Sequence, residues 1–380
     1  MKVTIVCDVL GEENNGTTIA AMNLIRTLQV KGHQVRVVSG DQSKRGLPGH
    51  YVVPPRSFGI FNGYVAKNGV SLAKPVRSIL EEAIDGADVV HILVPFSLGH
   101  AAVLLCREKG IPITAGFHCQ AENFTNHIFL MNARLVNRLI YKYFYWRVYR
   151  YCTCIHYPTQ FICDVFEKVT HPTNHYVISN GVNKVFARRE VKRPPELEGK
   201  YLILSTGRYS REKSQKVLID AVAKSRHRDQ IQLVLAGKGP QENALRKRVK
   251  KRGIREPVFG FHTREELIEI INLADLYVHP AQIEIEAIAC LEAIACGKVP
   301  VIADSPRSAT RHFALTEKNL FRCNDSSDLA NRIDYWLDHP EEREECSRAY
   351  LGYARQFDFD NCMDAMERML LDAVKAGPHG

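Results

Sequence analysis

Short, unbroken apolar runs separated by amphipathic stretches limit the fold most, and the pattern occurs twice. In the first half, KVTIVCDV (residues 2–9) reads as a strand. TTIAAMNLIRTLQVKG follows as a helix, with apolar positions 19, 20, 22, 24, 25 and 28 favouring one face. HQVRVVSG, DVVHILVPF and IPITAGFH are further strands, with helical stretches between them. Strands apolar at every position are buried on both faces, which points to a parallel sheet covered by helices. Residues 40–75 hold Gly and Pro with no clear period and are expected to be loops near the site. In the second half, strands are expected at 201–206, 231–236, 257–261, 275–279 and 299–303. Helices are expected at 213–225, 240–252, 264–273, 286–296 and 326–338. VNKVFARREVKRPPELEGK, charged and carrying Pro194–Pro195, is a linker by composition. The expectation is an α/β chain of two Rossmann-like domains with parallel sheets facing across a cleft. Open parallel sheets bind ligands at the carboxyl ends of their strands, so the cleft is the expected site.

A length of 380 residues fits two domains. With 45% apolar and 24% charged residues, the chain is no disordered segment, fibre or long coiled coil. No apolar run reaches the roughly 18–20 residues of a membrane-spanning helix. MKVTIVCDVL reads as a first strand, not a leader. The 11 cysteines are scattered, odd in number and without CxxC, which suits buried free thiols in a reducing cytoplasm better than disulfides or a zinc site. Residues 1–190 carry 21 Lys+Arg against 13 Asp+Glu, so nearly all of the net +9 lies there. A negatively charged partner is expected to meet that half: an anionic membrane, a nucleic acid or a polyanionic substrate.

Several segments carry chemistry. Gly207-Arg208-Tyr209-Ser210-Arg211-Glu212-Lys213 joins a strand to a helix. Free backbone N–H groups there, with Arg208 and Lys213, suit a diphosphate; a helix start with solvated basic residues is the equal alternative. Gly237-Lys238-Gly239-Pro240 reads as a βα turn in preference to a second phosphate loop. Glu284, ahead of a helix, and Glu292, two turns in, can line one side of a pocket and clamp vicinal hydroxyls. Carboxylates on so apolar a helix are costly unless something pairs with them. Glu286, six before Glu292, points elsewhere by that count. His118, at a strand's carboxyl end, can hydrogen-bond a sugar hydroxyl or a developing charge, although in isolation a structural histidine is the better account. His91, His127 and His156 read as structural, and no metal-binding motif is present. Residues 128–151 (IFLMNARLVNRLIYKYFYWRVYRY) form a basic aromatic helix in a stretch with no acidic residue between Glu122 and Asp164. Arg134, Arg138 and Lys142 share a face, and with Trp146 and Arg147 they suit an anionic membrane surface more than a solvated domain helix. No nucleic-acid-binding module surrounds them.

In order and spacing these segments resemble the retaining glycosyltransferases of family 4, with the GT-B fold. The matching pieces are Asn14-Asn15-Gly16-Thr17 with KGHQVRVV, His118, Asn180-Gly181-Val182, Gly207-Arg208 with Glu212-Lys213, Ala236-Gly237-Lys238-Gly239, Val258-Phe259-Gly260-Phe261 and the Glu284…Glu292 pair. The resemblance implies an N-terminal acceptor- and membrane-facing domain at 1–184, a donor domain at 185–355, and a helix at 356–380 that crosses back. It implies that Arg208 and Lys213 hold the donor diphosphate, that Glu292 binds the ribose and that Glu284 lies by the donor sugar. Gly16 and Gly237 would lie along the donor, His118 would contact the transferred sugar, and the segment around Phe259 would pack on the base. Glu286, Ala287 and Ile288 would pass beside the sugar. The family often has Phe-Gly-Leu there, and loss of the Gly narrows the backbone approach. Phe117-His118-Cys119-Gln120-Ala121-Glu122-Asn123 is similar to the members that glucosylate diacylglycerol. The implied reaction moves a hexosyl unit, glucose by default, from a UDP-sugar to a lipid hydroxyl, with no cofactor, no metal and no nucleic acid. The implied location is cytoplasmic, peripheral on the inner face of the cell membrane. A soluble or polysaccharide acceptor, or a nucleotide-sugar epimerase on the same architecture, are the alternatives. A Rossmann dehydrogenase needs a GxGxxG that VCDVLGEENNG lacks, and a membrane-binding module leaves the second half unused.

Overall fold

The apolar runs pair side by side as parallel strands, each buried from both faces, in two separate sheets. The computed structural model describes residues 1–8, 10, 16–56, 72–127 and 131–379, without the side chains of Phe124 and His127. These form two units, Met1–Asn180 with Asn361–Gly380, and Gly181–Asp360. Asn14, Asn15, residues 57–71 of the expected loops and residues 128–130 of the basic stretch lie outside the described residues.

The N-terminal unit runs β1 (Lys2–Cys7), α1 (Gly16–Val30), β2 (Gln34–Ser39), β3 (His50–Val52), α2 (Arg77–Ile84), β4 (Val89–Ile92), α3 (Ser97–Lys109), β5 (Ile113–Gly116), α4 (Ala121–His127), α5 (Arg134–Arg147), β6 (Cys154–Tyr157), α6 (Gln160–Glu167) and β7 (His175–Val177). Its sheet order is β3-β2-β1-β4-β5-β6-β7, with every pair parallel. β3 corrects the expectation of loops throughout 40–75: three residues at a sheet edge are too few to show a period. β6 and β7 were likewise not foreseen.

The C-terminal unit runs β8 (Tyr201–Thr206), α7 (Gln215–Lys224), β9 (Ile231–Ala236), α8 (Glu242–Arg252), β10 (Val258–Gly260), α9 (Arg264–Leu273), β11 (Leu276–His279), α10 (Ile288–Ala295), β12 (Pro300–Asp304), β13 (Leu320–Arg322), α11 (Ser326–Asp338) and α12 (Pro340–Ala354). Its order is β10-β9-β8-β11-β12-β13, again all parallel. The order reverses between β8 and β11, and open α/β sheets place ligands outside the carboxyl ends at such a point. The expected linker is a packed part of this unit. Phe186 and Leu197 join its core, and Arg193 donates to the Lys200 carbonyl (2.6 Å) and to Asp275 (2.8 Å). The chain then returns as α13 (Phe359–Ala376) to the N-terminal unit, where Glu367 accepts from Lys31 (2.6 Å) and pairs with His33 (2.6 Å).

Candidate active site

The chemistry of the C-terminal unit gathers at its strand reversal. β8 leads into Gly207–Ser214, and β11 leads into the segment carrying Glu284. The Glu284 backbone is held from two sides. Gln282 donates its N–H to the Glu212 carbonyl (2.7 Å) and its amide to Ser214 (2.7 Å). Ser305 donates to the Gln282 carbonyl (2.6 Å), and the Ala309 N–H donates to the Glu284 carbonyl (2.9 Å). So fixed, the Glu284 carboxylate receives Lys213 as an ion pair and His279 Nε2 at 3.0 Å, both on Oε1. Burial alone would raise the Glu284 carboxyl. The Lys213 charge and the His279 hydrogen bond outweigh it and bring the pKa to about 2. The two residues assigned to phosphate and to sugar thus touch each other directly.

Glu292 lies on α10, one turn in, not two. Ala287 sits at φ 64° and breaks the expected helix, so α10 starts at Ile288. This left-handed residue stands where the family often has glycine. Among the described residues no hydrogen bond reaches the Glu292 carboxylate, and burial lifts it to about 7 against the charge of Arg264. Glu286 is buried. The loops after β8 and β9 meet backbone to backbone: the Gly207 N–H donates to the Ala236 carbonyl (2.9 Å) and the Tyr209 N–H to the Lys238 carbonyl (2.9 Å). A Cβ on Gly237 would lie 2.1 Å from the Gly207 oxygen, so Gly237 has a packing reason to be glycine. The Gln215 amide donates to the Arg208 carbonyl (2.9 Å), tying the basic loop to α7. Phe259 packs inward, with Arg246 4.2 Å over its ring, whereas Phe261 is 61% exposed.

In the N-terminal unit, Phe117 buries its ring among Tyr149 (5.2 Å), Tyr157 (5.5 Å) and Phe166 (4.8 Å). That anchor leaves His118, the next residue, partly exposed beyond β5. The His118 ring folds over Gly116, where a Cβ would lie 2.6 Å from Nε2. Buried His156 lies 5.6 Å away ring to ring. Burial, then the charges His156 and His91 would carry, push the His118 pKa well below the usual histidine range, so its ring is neutral. Thr17, on the first turn of α1, donates to the His118 carbonyl (3.4 Å), which brings Gly16 to the same place.

The basic stretch is not one helix. α5 covers Arg134–Arg147 and stops at Val148 (φ −132°), and a separate 3₁₀ turn covers Tyr149–Tyr151. Asn137, Tyr141 and Phe144 face inward: Tyr141 donates to Glu122 (2.6 Å) and Thr125 donates to Asn137 (2.7 Å). The outer face exposes Arg134, Arg138 and Lys142 beside Leu135 (71% exposed), Leu139 (58%), Tyr143 (56%) and Trp146 (54%). Arg147 is half-buried, its guanidinium 5.7 Å from the Tyr143 ring. Among the described residues no helix is long and apolar enough to cross a membrane.

Two family models match nearly the whole chain: Glycosyltransferase Family 4 over residues 14–185 and Glycosyl transferases group 1 over residues 187–350. The chain belongs to the family 4 and group 1 glycosyltransferases. Its fold is GT-B. This glycosyltransferase is similar to an alpha-monoglucosyldiacylglycerol synthase of Acholeplasma laidlawii, 22% identical over 86% of each chain. It is 27% identical to another protein of that name from Streptococcus pneumoniae, over 57% of this chain. The chain spans about half the length of that second relative, 51%. Among solved structures, Anabaena Alr3699/HepE in complex with UDP and glucose superposes with a TM-score of 0.75, covering 98% of this glycosyltransferase and all of that chain at 16% identity, a likeness of fold.

Sequence reasoning missed His279 and its neighbours in the enzyme. The rule that singled out His118, a histidine closing a strand, applies equally to His279 at the end of β11. One group among the described residues could hold a metal ion: Cys163, Glu167 and His175, in the N-terminal unit. Glu167 Oε1 already accepts from the Thr173 N–H (2.9 Å) and hydroxyl (2.6 Å) and lies 2.9 Å from His175 Nδ1, so hydrogen bonding within the loop accounts for the group.

Proposed function

We propose that the enzyme transfers a hexosyl unit, glucose in the first instance, from a UDP-sugar to a membrane lipid hydroxyl such as that of diacylglycerol, retaining the α configuration. The observation that carries this reading is the Lys213–Glu284 pair at the strand reversal. It sets a cation suited to a diphosphate beside an ionised carboxylate suited to a sugar hydroxyl. In this reading Arg208, Lys213 and the start of α7 stabilise the charge developing on the leaving diphosphate, a task a metal performs elsewhere. Glu292 binds the ribose, and neutral His118 donates a hydrogen bond to the transferred sugar. The leaving phosphate takes the acceptor proton in a front-face attack. The acceptor side is supported by the names of the two relatives and by the outer face of α5. Its leucines and aromatics enter the interface while its cations meet anionic headgroups. On this reading the enzyme works peripherally at a membrane surface.

The test is UDP release from UDP-glucose with EDTA present, on anionic vesicles with and without diacylglycerol, with NMR of the product anomer. Release that depends on diacylglycerol and yields the α-anomer is expected. Charge reversal of Arg134, Arg138 and Lys142 to Glu is expected to lower vesicle binding at least tenfold. Release unaffected by diacylglycerol overturns that acceptor; release abolished by EDTA overturns metal independence.

A further inference from the structure

A single hydrogen-bonded line runs through the C-terminal unit from the end of β8 to the donor segment. Thr206 Oγ1 lies 2.8 Å from Tyr277 Oη, Tyr277 Oη 3.2 Å from His279 Nδ1, and His279 Nε2 3.0 Å from Glu284 Oε1. The Tyr277 and His279 rings stack at 23°. Lys213 joins Glu284 at the far end. We infer that His279 is a positioning residue for the glycosyl transfer, holding Glu284 Oε1 so that Oε2 meets a donor sugar hydroxyl when Lys213 turns to the diphosphate. The inference rests on the donor reading above.

Three features carry it. Thr206, Tyr277 and His279 are all buried, where Val, Phe and Leu would pack equally well and bring no polar atoms to satisfy. With one proton on the His279 ring, the line runs in one direction. An ionised carboxylate can only accept, so His279 Nε2 carries the hydrogen. In the tautomer with its one hydrogen on Nε2, Nδ1 accepts from the Tyr277 hydroxyl, which accepts in turn from Thr206. Tyr277 thereby selects the tautomer that serves Glu284. Finally, both contacts fall on Oε1, and among the described residues Oε2 has no hydrogen-bond partner. The backbone of the segment is fixed independently through Gln282, Ser305 and Ala309, so His279 governs the carboxylate's orientation and not the loop's path.

The test uses the full chain as wild type, H279L, H279Q and Y277F. UDP and UDP-glucose binding are measured by calorimetry, kcat and KM by UDP release on diacylglycerol vesicles, and melting temperature serves as the check on folding. H279L is expected to lower kcat at least tenfold while the Kd for UDP, which lacks the sugar, stays within threefold. H279Q, whose amide can donate from the position of Nε2, is expected to recover most of the loss, and Y277F to lose about threefold. H279L turning over within twofold of wild type overturns the inference. So does an H279Q as inactive as H279L in a folded protein, because that pattern reports packing alone. A wild-type chain that turns over no sugar nucleotide overturns the donor reading and this inference together, and the defect then shows in the unmutated protein.

Discussion

Glu284 and Glu292 begin as the same side chain eight residues apart and end with opposite acid strengths. Glu284 has a cation and a histidine N–H on one oxygen and stays ionised to about pH 2. Glu292 has burial with no hydrogen bond among the described residues, and its pKa is raised to about 7. If Glu292 clamps a ribose, the hydroxyls donate to its ionised form, so binding favours proton loss. Affinity for UDP is then expected to rise with pH, by up to about tenfold between pH 6 and pH 8 for a group titrating near 7. The phosphate of UDP titrates alike with any protein, so calorimetry of Glu292→Gln over the same range isolates the effect. An equal rise in that variant removes Glu292 from the ribose.

At the scale of loops and helices, two glycines taken from one resemblance separate. Gly237 is locked between backbones, and a methyl group there would strike the Gly207 carbonyl. Gly237→Ala is expected to cost roughly 1–3 kcal/mol, as overpacking does, and to lower the melting temperature. Among the described residues Gly16 has nothing within 4 Å of where a Cβ would stand. Gly16→Ala is therefore expected to leave the melting temperature unchanged and to slow donor turnover, the outcome that marks a glycine kept for a ligand. The αβ pattern made the strand and helix positions legible: expected helices at 264–273 and 326–338 match α9 and α11 residue for residue. α9 opens with a capping box, Thr263 and Glu266, and α11 with Asp325 accepting from two backbone N–H groups. Where no such local signal stands, boundaries slipped. The start of α10 depends on a left-handed alanine, and the end of α5 on the turn at Val148.

Across the whole molecule, buried titrating groups set how stability follows pH. His91 and His156 are held neutral by burial, with pKa values of about 3 and about 4, and His118 lies well below its usual range. Folded values below unfolded ones give stability that is present above the ordinary histidine pKa and is lost as pH falls. Asp8 and Glu292 act the other way: burial raises both to about 7, so the stability they contribute is full below their ordinary values and is lost as pH rises through 7. Below about pH 6.5 the three histidines outweigh the two carboxyls. Melting temperature is expected to climb from pH 5 to about pH 6.5 and to fall by pH 8. Asp8→Asn is expected to steepen the climb, move the maximum to higher pH and shrink the fall.

By itself the sequence determined the architecture, because continuous apolar strands and one-sided helices leave little but two covered parallel sheets. It also determined the site's vocabulary: a basic strand-to-helix loop, one carboxylate ahead of an apolar helix and one on it, a histidine closing a strand, a basic aromatic helix. Only the tertiary structure decided which of those groups meet. Lys213 reaches Glu284 because β8 and β11 are neighbours at the strand reversal, although 71 residues separate the pair in the chain. His279, at the end of β11, meets the carboxylate five residues on, Thr206 reaches Tyr277 across from β8 for the same reason as Lys213, and Leu135, Leu139 and Trp146 stay outside because Asn137, Tyr141 and Phe144 took the inner face. Hydrogen-bond direction, burial and the resulting acid strengths are properties of neighbours in space, and chain spacing alone does not carry them.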